Sequence, residues 1–176
     1  MEYIILGTSH TVQESGPLES FAADILDQYE IRLIAEEYPC DTQSRIGAIA
    51  KRRHIPYLQV DLWPNEWAEH GIDWEMKARS DAAYLQNDDV RLSHADSIRE
   101  GFWVDKIESS LKDGLVLIIC GYLHLEFLAT NIQARGDKVA EKCTHPPSLL
   151  GRTPTKTFTR DGLREYLRER RDVAEV

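Results

Sequence analysis

Four short aliphatic and β-branched runs stand out along the chain, at residues 3–6, 31–35, 55–60 and 115–120, with a more polar fifth at 138–141. Apolar runs of this length, without polar alternation, predict strands buried on both faces. Between them the period changes. Leu18, Phe21, Ala22, Ile25, Leu26 and Tyr29 recur at helical spacing, and Pro17 suits a first helical turn. Residues 44–53 predict a second helix, with Ile46, Ile49 and Ala50 on one side and Lys51, Arg52 and Arg53 at its C-terminal end. A third begins after Ser93 and is expected to turn Ile98, Phe102, Ile107 and Leu111 to the core. A fourth follows His124 through Leu125, Leu128, Ala129 and Ile132, with Gly136 as its stop. Strands alternating with helices imply right-handed crossovers and an α/β fold, a mainly parallel β-sheet with helices on both faces in a single domain.

Two regions break the pattern. Residues 63–90 mix Trp63, Trp67 and Trp74 with acidic side chains and predict a loop and irregular helix covering the site. Three prolines in 146–156 predict an extended arm, and 160–172 offers only Leu163 and Leu167 as an apolar stripe. The expected division is an α/β domain over 1–145 and a C-terminal arm with a short helix over 146–176.

Composition narrows the function. With 176 residues, 42% hydrophobic, the chain can bury one core rather than two. Its formal charge of −9 disfavours broad binding to nucleic acid or anionic membranes. No run is long enough for a membrane span, and the start lacks the pattern of a signal peptide, so a cytoplasmic location is expected. Cys40, Cys120 and Cys143 are irregularly spaced and predict reduced thiols rather than a disulfide framework. Neither a dinucleotide fingerprint nor P-loop spacing occurs.

The chemistry gathers at strand ends. Gly7-Thr8-Ser9-His10 closes the first run and Gly121-Tyr122-Leu123-His124 the fourth. Ten glycines and six histidines predict about 0.3 Gly-x-x-His pairs by chance. Two, both following strands, suggest one site. In a parallel sheet the carboxyl ends share an edge, which would bring His10, Glu36 or Glu37, Asp61 and His124 together. Two imidazoles and a carboxylate suit a divalent transition metal such as manganese, zinc, cobalt or iron, whose bound water is a nucleophile at neutral pH. Without a metal the same groups serve as a general base with an orienting carboxylate. Strand alternation lets only one of Glu36 and Glu37 enter the crevice, and Glu36 is preferred. Asp61 reads otherwise as a turn residue before Pro64, Gln13 as a ligand-orienting or ordinary loop residue, and Arg99 as a surface partner of Asp96 or Asp105.

These positions, with Arg99 on a helix and the stretch from Arg99 to Gly136, resemble the TraB/Tiki superfamily, which is related to the erythromycin esterases and to ChaN-like proteins. The resemblance implies a hydrolase site with His10, His124 and an acidic partner at Glu36 or Glu37 as metal ligands or acid/base groups. It also implies that Arg99 pairs with a carboxylate or a developing oxyanion. Thr8 stands where the esterases carry a glutamate, which turns the expectation away from macrolides.

The leading expectation is a metal-dependent hydrolase of a peptide or ester bond, with His10, Glu36 and His124 holding the ion and Arg99 stabilising the tetrahedral intermediate. Its partner is then a small-molecule or peptide substrate. The alternatives are a non-catalytic module binding a metal, a tetrapyrrole or a small anion, and an interaction protein whose 146–176 arm docks a partner.

Overall fold

The computed structural model describes residues 1–13, 15–37, 44–73 and 94–145. Cys40, most of the 63–90 cover and the 146–176 arm lie outside the described residues, as does the side chain of His10. The elements in chain order are β1 (Glu2–Thr8), α1 (His10–Gln13), α2 (Gly16–Gln28), β2 (Ile31–Glu36), α3 (Arg45–Arg52), β3 (Tyr57–Gln59), a 3-10 turn (Trp67–His70), α4 (His94–Ser110), β4 (Leu115–Gly121), a 3-10 turn (Tyr122–His124), α5 (Leu125–Ala134) and β5 (Lys138–Thr144). Of the described residues, the sheet-bearing unit takes in Met1–Trp63 and those from Arg99 to His145, and the described part of Pro64–Ile98 belongs to a second unit. Within that second segment, Gly71 at φ 74° ends the 3-10 turn in the left-handed region open to glycine.

All five strands are parallel, in the order β3-β2-β4-β1-β5. The chain moves outward from β1 to β2 and β3, returns to β4 beside β1, and then crosses β1 to reach β5. Right-handed crossovers running in opposite directions place their helices on opposite faces, and the packing follows. Leu18, Ala22 and Ile25 of α2 and Ile46, Ile49 and Ala50 of α3 join Ile4, Leu6, Ile34, Leu117 and Ile119 on one face. Trp103, Val104 and Ile107 of α4 and Leu125, Leu128, Ala129 and Ile132 of α5 join Tyr3, Ile5, Leu33, Ala35, Val116 and Ile118 on the other. This double cover is why β1 and β4 read as unbroken apolar runs.

The expected helix after Ser93 is present, but its inward stripe is offset. Trp103 and Val104 are buried, whereas Phe102 packs only partly against the core. The polar residues Arg99 and Glu100 lie on the buried stripe, so a reading by apolar spacing alone shifts by one position. β5, at the sheet edge, exposes Lys138, Glu141 and Lys142, charges that discourage pairing with another chain.

Candidate functional site

β1 and β4 are neighbours whose onward connections leave in opposite directions, one towards β2 and the other towards β5. Such a reversal is the switch point at which parallel sheets of this kind bind ligands, and the two Gly-x-x-His segments follow the two strands that form it. Their strands pair Gly7 with Cys120 and Thr8 with Gly121. A Cβ on Gly7 would lie 2.9 Å from Leu125 Cδ1 and 3.0 Å from Tyr122 Cα, so the first segment's glycine is a packing surface for the second segment. Gly7→Ala is expected to cost about 1–3 kcal/mol through overpacking against that backbone, read as a lower urea midpoint.

The histidine of the second segment lies within a buried ionic network. His124 is 12% exposed; its Nδ1 is 2.9 Å from Glu100 Oε1 and its Nε2 is 3.5 Å from Glu37 Oε1. The Gly121 amide donates to Glu37 Oε2 at 2.7 Å, and Arg99 Nη2 donates to Glu37 Oε1 at 2.7 Å. Arg99 also grips Asp61 with two nitrogens, Nε to Oδ1 at 2.9 Å and Nη2 to Oδ2 at 2.7 Å. Trp103 Nε1 donates to the same Asp61 at 3.1 Å, and its ring meets His124 edge-on with centroids 4.9 Å apart. Gln13 Nε2 donates to the Glu37 carbonyl at 2.9 Å, tying α1 to the end of β2.

Burial opposes the charge on the His124 ring, but Glu37 and Glu100 outweigh it and push the group up to about 10. At neutral pH it is an imidazolium. Three carboxylates against one guanidinium and one imidazolium leave these five groups with a net charge of −1. Cys120, beneath them, has its thiol pushed well up by burial, then by Glu37 and Glu100, and is no nucleophile.

Several sequence expectations change here. Glu36 is not beside His124: its Oε2 receives the Ser44 hydroxyl at 2.5 Å and the Tyr57 hydroxyl at 2.7 Å, on the α2/α3 face. Leu33 and Ala35 pack on the α4/α5 face, and alternation sends Glu37 there with them. The carboxylate that meets His124 and Arg99 is therefore Glu37. Arg99 does not pair with Asp105, which goes to Arg135, and its guanidinium is taken up by Asp61 and Glu37. Asp61 accepts from the Leu62 amide as a turn residue would, yet it is also a buried member of the network.

Glu100 and Trp103 were not legible as site residues. Helical spacing puts Trp103, four residues on from Arg99, on the same side, whereas Glu100, one residue on, carries no such signal.

The expected metal set of His10, Glu36 and His124 fits poorly, because Glu36 lies on the other face and both ring nitrogens of His124 are turned to carboxylates. Among the described residues no group of three or more His, Cys, Asp or Glu is arranged to hold a metal. Among them, too, no helix is long and apolar enough to cross a membrane. No family model, curated protein or solved structure matches the chain.

Proposed function

We propose that the protein hydrolyses a peptide or ester bond at the carboxyl edge of β1 and β4, with His124 as the group that donates a proton. The observation that carries this reading is the asymmetry at the ring. Glu100 holds Nδ1 at 2.9 Å, a full hydrogen bond, whereas Glu37 stands 3.5 Å from Nε2, beyond a good one. A ring anchored at one nitrogen and loosely held at the other is the arrangement of a proton donor with its orienting carboxylate. An acyl substrate whose oxygen approaches Nε2 takes a shorter bond than Glu37 offers. Negative charge developing on that oxygen, or on the leaving group, is then met by the imidazolium.

The bookkeeping is simple. Water adds to the acyl carbon and gives up a proton to a base, the bond to the leaving oxygen or nitrogen breaks, and His124 supplies the leaving group with its proton. His10, which opens α1 directly after β1, is assigned the base on its place in the first Gly-x-x-His segment and on the TraB/Tiki resemblance. Arg99 is a positioning residue: bonded through Nε and Nη2 to Asp61 and Glu37, it holds Glu37 beside His124. No step is assigned to a metal.

Purified protein should turn over members of a panel of p-nitrophenyl esters and aminoacyl p-nitroanilides without added metal. His124→Gln should lower the rate about 10²- to 10⁴-fold with the fold intact by circular dichroism. Glu100→Gln should lower it less and shift the basic limb of the pH profile downwards. Absence of turnover from folded protein, or activity only with added manganese, zinc, cobalt or iron, would overturn the reading. A non-catalytic binding role is favoured by one observation, the net charge of −1, which suits a cationic ligand and disfavours a small anion.

A further inference from the structure

The His124 network accounts for one face of the sheet edge and leaves Glu36 on the other. Glu36 is wholly buried, and among the described residues no cationic side chain pairs with it. Burying an unpaired carboxylate is costly, and here only half of the carboxylate is provided for. Ser44 Oγ accepts from the amides of Ile46 and Gly47, at 3.0 and 3.2 Å, so its own hydrogen goes to Glu36 Oε2. The Tyr57 hydroxyl reaches the same oxygen. Two hydroxyls converging on one oxygen suit the ionised carboxylate. Burial holds the carboxyl above its ordinary range, and the Ser44 and Tyr57 hydrogen bonds offset only part of that rise. Oε1, shielded from solvent, has no hydrogen-bond partner among the described residues.

Two further orphaned atoms share this face and edge. Thr8 is wholly buried and its Oγ1 has no partner among the described residues; the same holds for His145 Nε2. His145 donates its amide to the Gly7 carbonyl and stacks its ring on Phe21 of α2 with centroids 4.8 Å apart, which places it on the α2/α3 face. Burial holds its ring below the ordinary imidazole range, as a neutral group able to accept a hydrogen bond. Thr8 pairs with Gly121 and Glu36 with Ile119, so β4 alone separates their strands. Two interstrand spacings across and a stagger of two residues along the strands make about 12 Å, the reach of about four extended residues.

We propose that Glu36 anchors a second subsite, on the sheet face opposite His124, for the ammonium group of a small amine or peptide, with Thr8 and His145 meeting polar groups further along the ligand. An ammonium brings the charge Glu36 lacks and three hydrogens for acceptors. A carboxylate or phosphate would be repelled, and a neutral ligand would leave the buried charge uncompensated. The subsite stands whether or not the His124 edge hydrolyses anything, because it is read by binding alone.

The probe is L-alaninamide, cationic at neutral pH, against its neutral counterpart N-acetyl-L-alaninamide, each titrated into the ¹⁵N-labelled full chain. Alaninamide should give saturable shifts at the amides of Glu36, Ser44 and Tyr57, and the acetylated probe none. Glu36→Gln should weaken binding about tenfold or more, the equivalent of one charge-assisted hydrogen bond. Equal response to both probes, shifts clustered away from Glu36, no saturable shift, or a response at Glu36 to magnesium or calcium but not to alaninamide would each overturn the proposal. The mapping on the parent chain decides the matter even if Glu36→Gln does not fold.

Discussion

Replacing Arg99 with methionine is expected to destabilise the fold by about 3–5 kcal/mol. The magnitude comes from what is left behind. Arg99 is 8% exposed, and its guanidinium is the cation shared by Glu37, 2% exposed, and Asp61, 9% exposed. Methionine fills much of the volume but strands two buried carboxylates, one of which keeps only neutral donors while the other faces His124. In urea the midpoint should fall with little change in slope, since the surface exposed on unfolding is nearly unchanged. Adding Asp61→Asn to Arg99→Met should recover part of the loss, because an amide costs less to bury alone than a carboxylate does. A loss below about 1 kcal/mol would be the value of an exposed pair and would contradict the buried geometry.

The second large effect is on pH. The His124 ring titrates at about 10 in the folded chain and near 6.5 when unfolded. Because the folded value is raised, the native state holds a proton that the unfolded state releases between these two values. Stability from this group is fully present below about 6.5 and declines by up to about 1.4 kcal/mol per pH unit as pH rises to about 10. Urea midpoints of the parent should fall across this window. His124→Gln, less stable at neutral pH, should show a flatter profile there. A parent profile that is flat from pH 7 to 10 would mean the ring is not held as an imidazolium by Glu37 and Glu100.

A smaller effect follows from the α3 cap. Ser44→Ala removes the acceptor for two helix amides and one of the two hydroxyls on Glu36, at a cost of about 1 kcal/mol for the cap alone. Thermal denaturation at pH 7 should read this as a lowered transition, by roughly 2–4 °C for a chain of this size.

The elements themselves were legible because their signals are local. β1, β2 and β4 are buried on both faces and so carry no polar alternation. α2 and α5 repeat apolar residues at helical spacing and end where the chain can turn, α5 just before Gly136 at φ 88°. The apolar run at 55–60 predicts six strand residues, and β3 pairs over three, beside β2, with Pro56 and Val60 continuing the backbone bonds to Ile34 and Glu36. That the two Gly-x-x-His segments leave the sheet at one edge was also legible, because alternating strands and helices make the sheet parallel and align its carboxyl ends. Strand alternation even required that Glu36 and Glu37 part company.

What the sequence by itself determined is therefore the α/β class, the positions of the strands and helices, and the arrival of His124 and an acidic pair at one edge. Which acid faces His124 was decided by tertiary structure. Strand parity has period two and is blind to which face receives which helix, and the direction of each crossover places α4, with Arg99, Glu100 and Trp103, over Glu37. The same holds for the charge on His124. An imidazole near 6.5 becomes an imidazolium only where two buried carboxylates, 24 and 87 positions away in the chain, close on its two nitrogens. That is an effect of distance and burial, and neither is written in residue order.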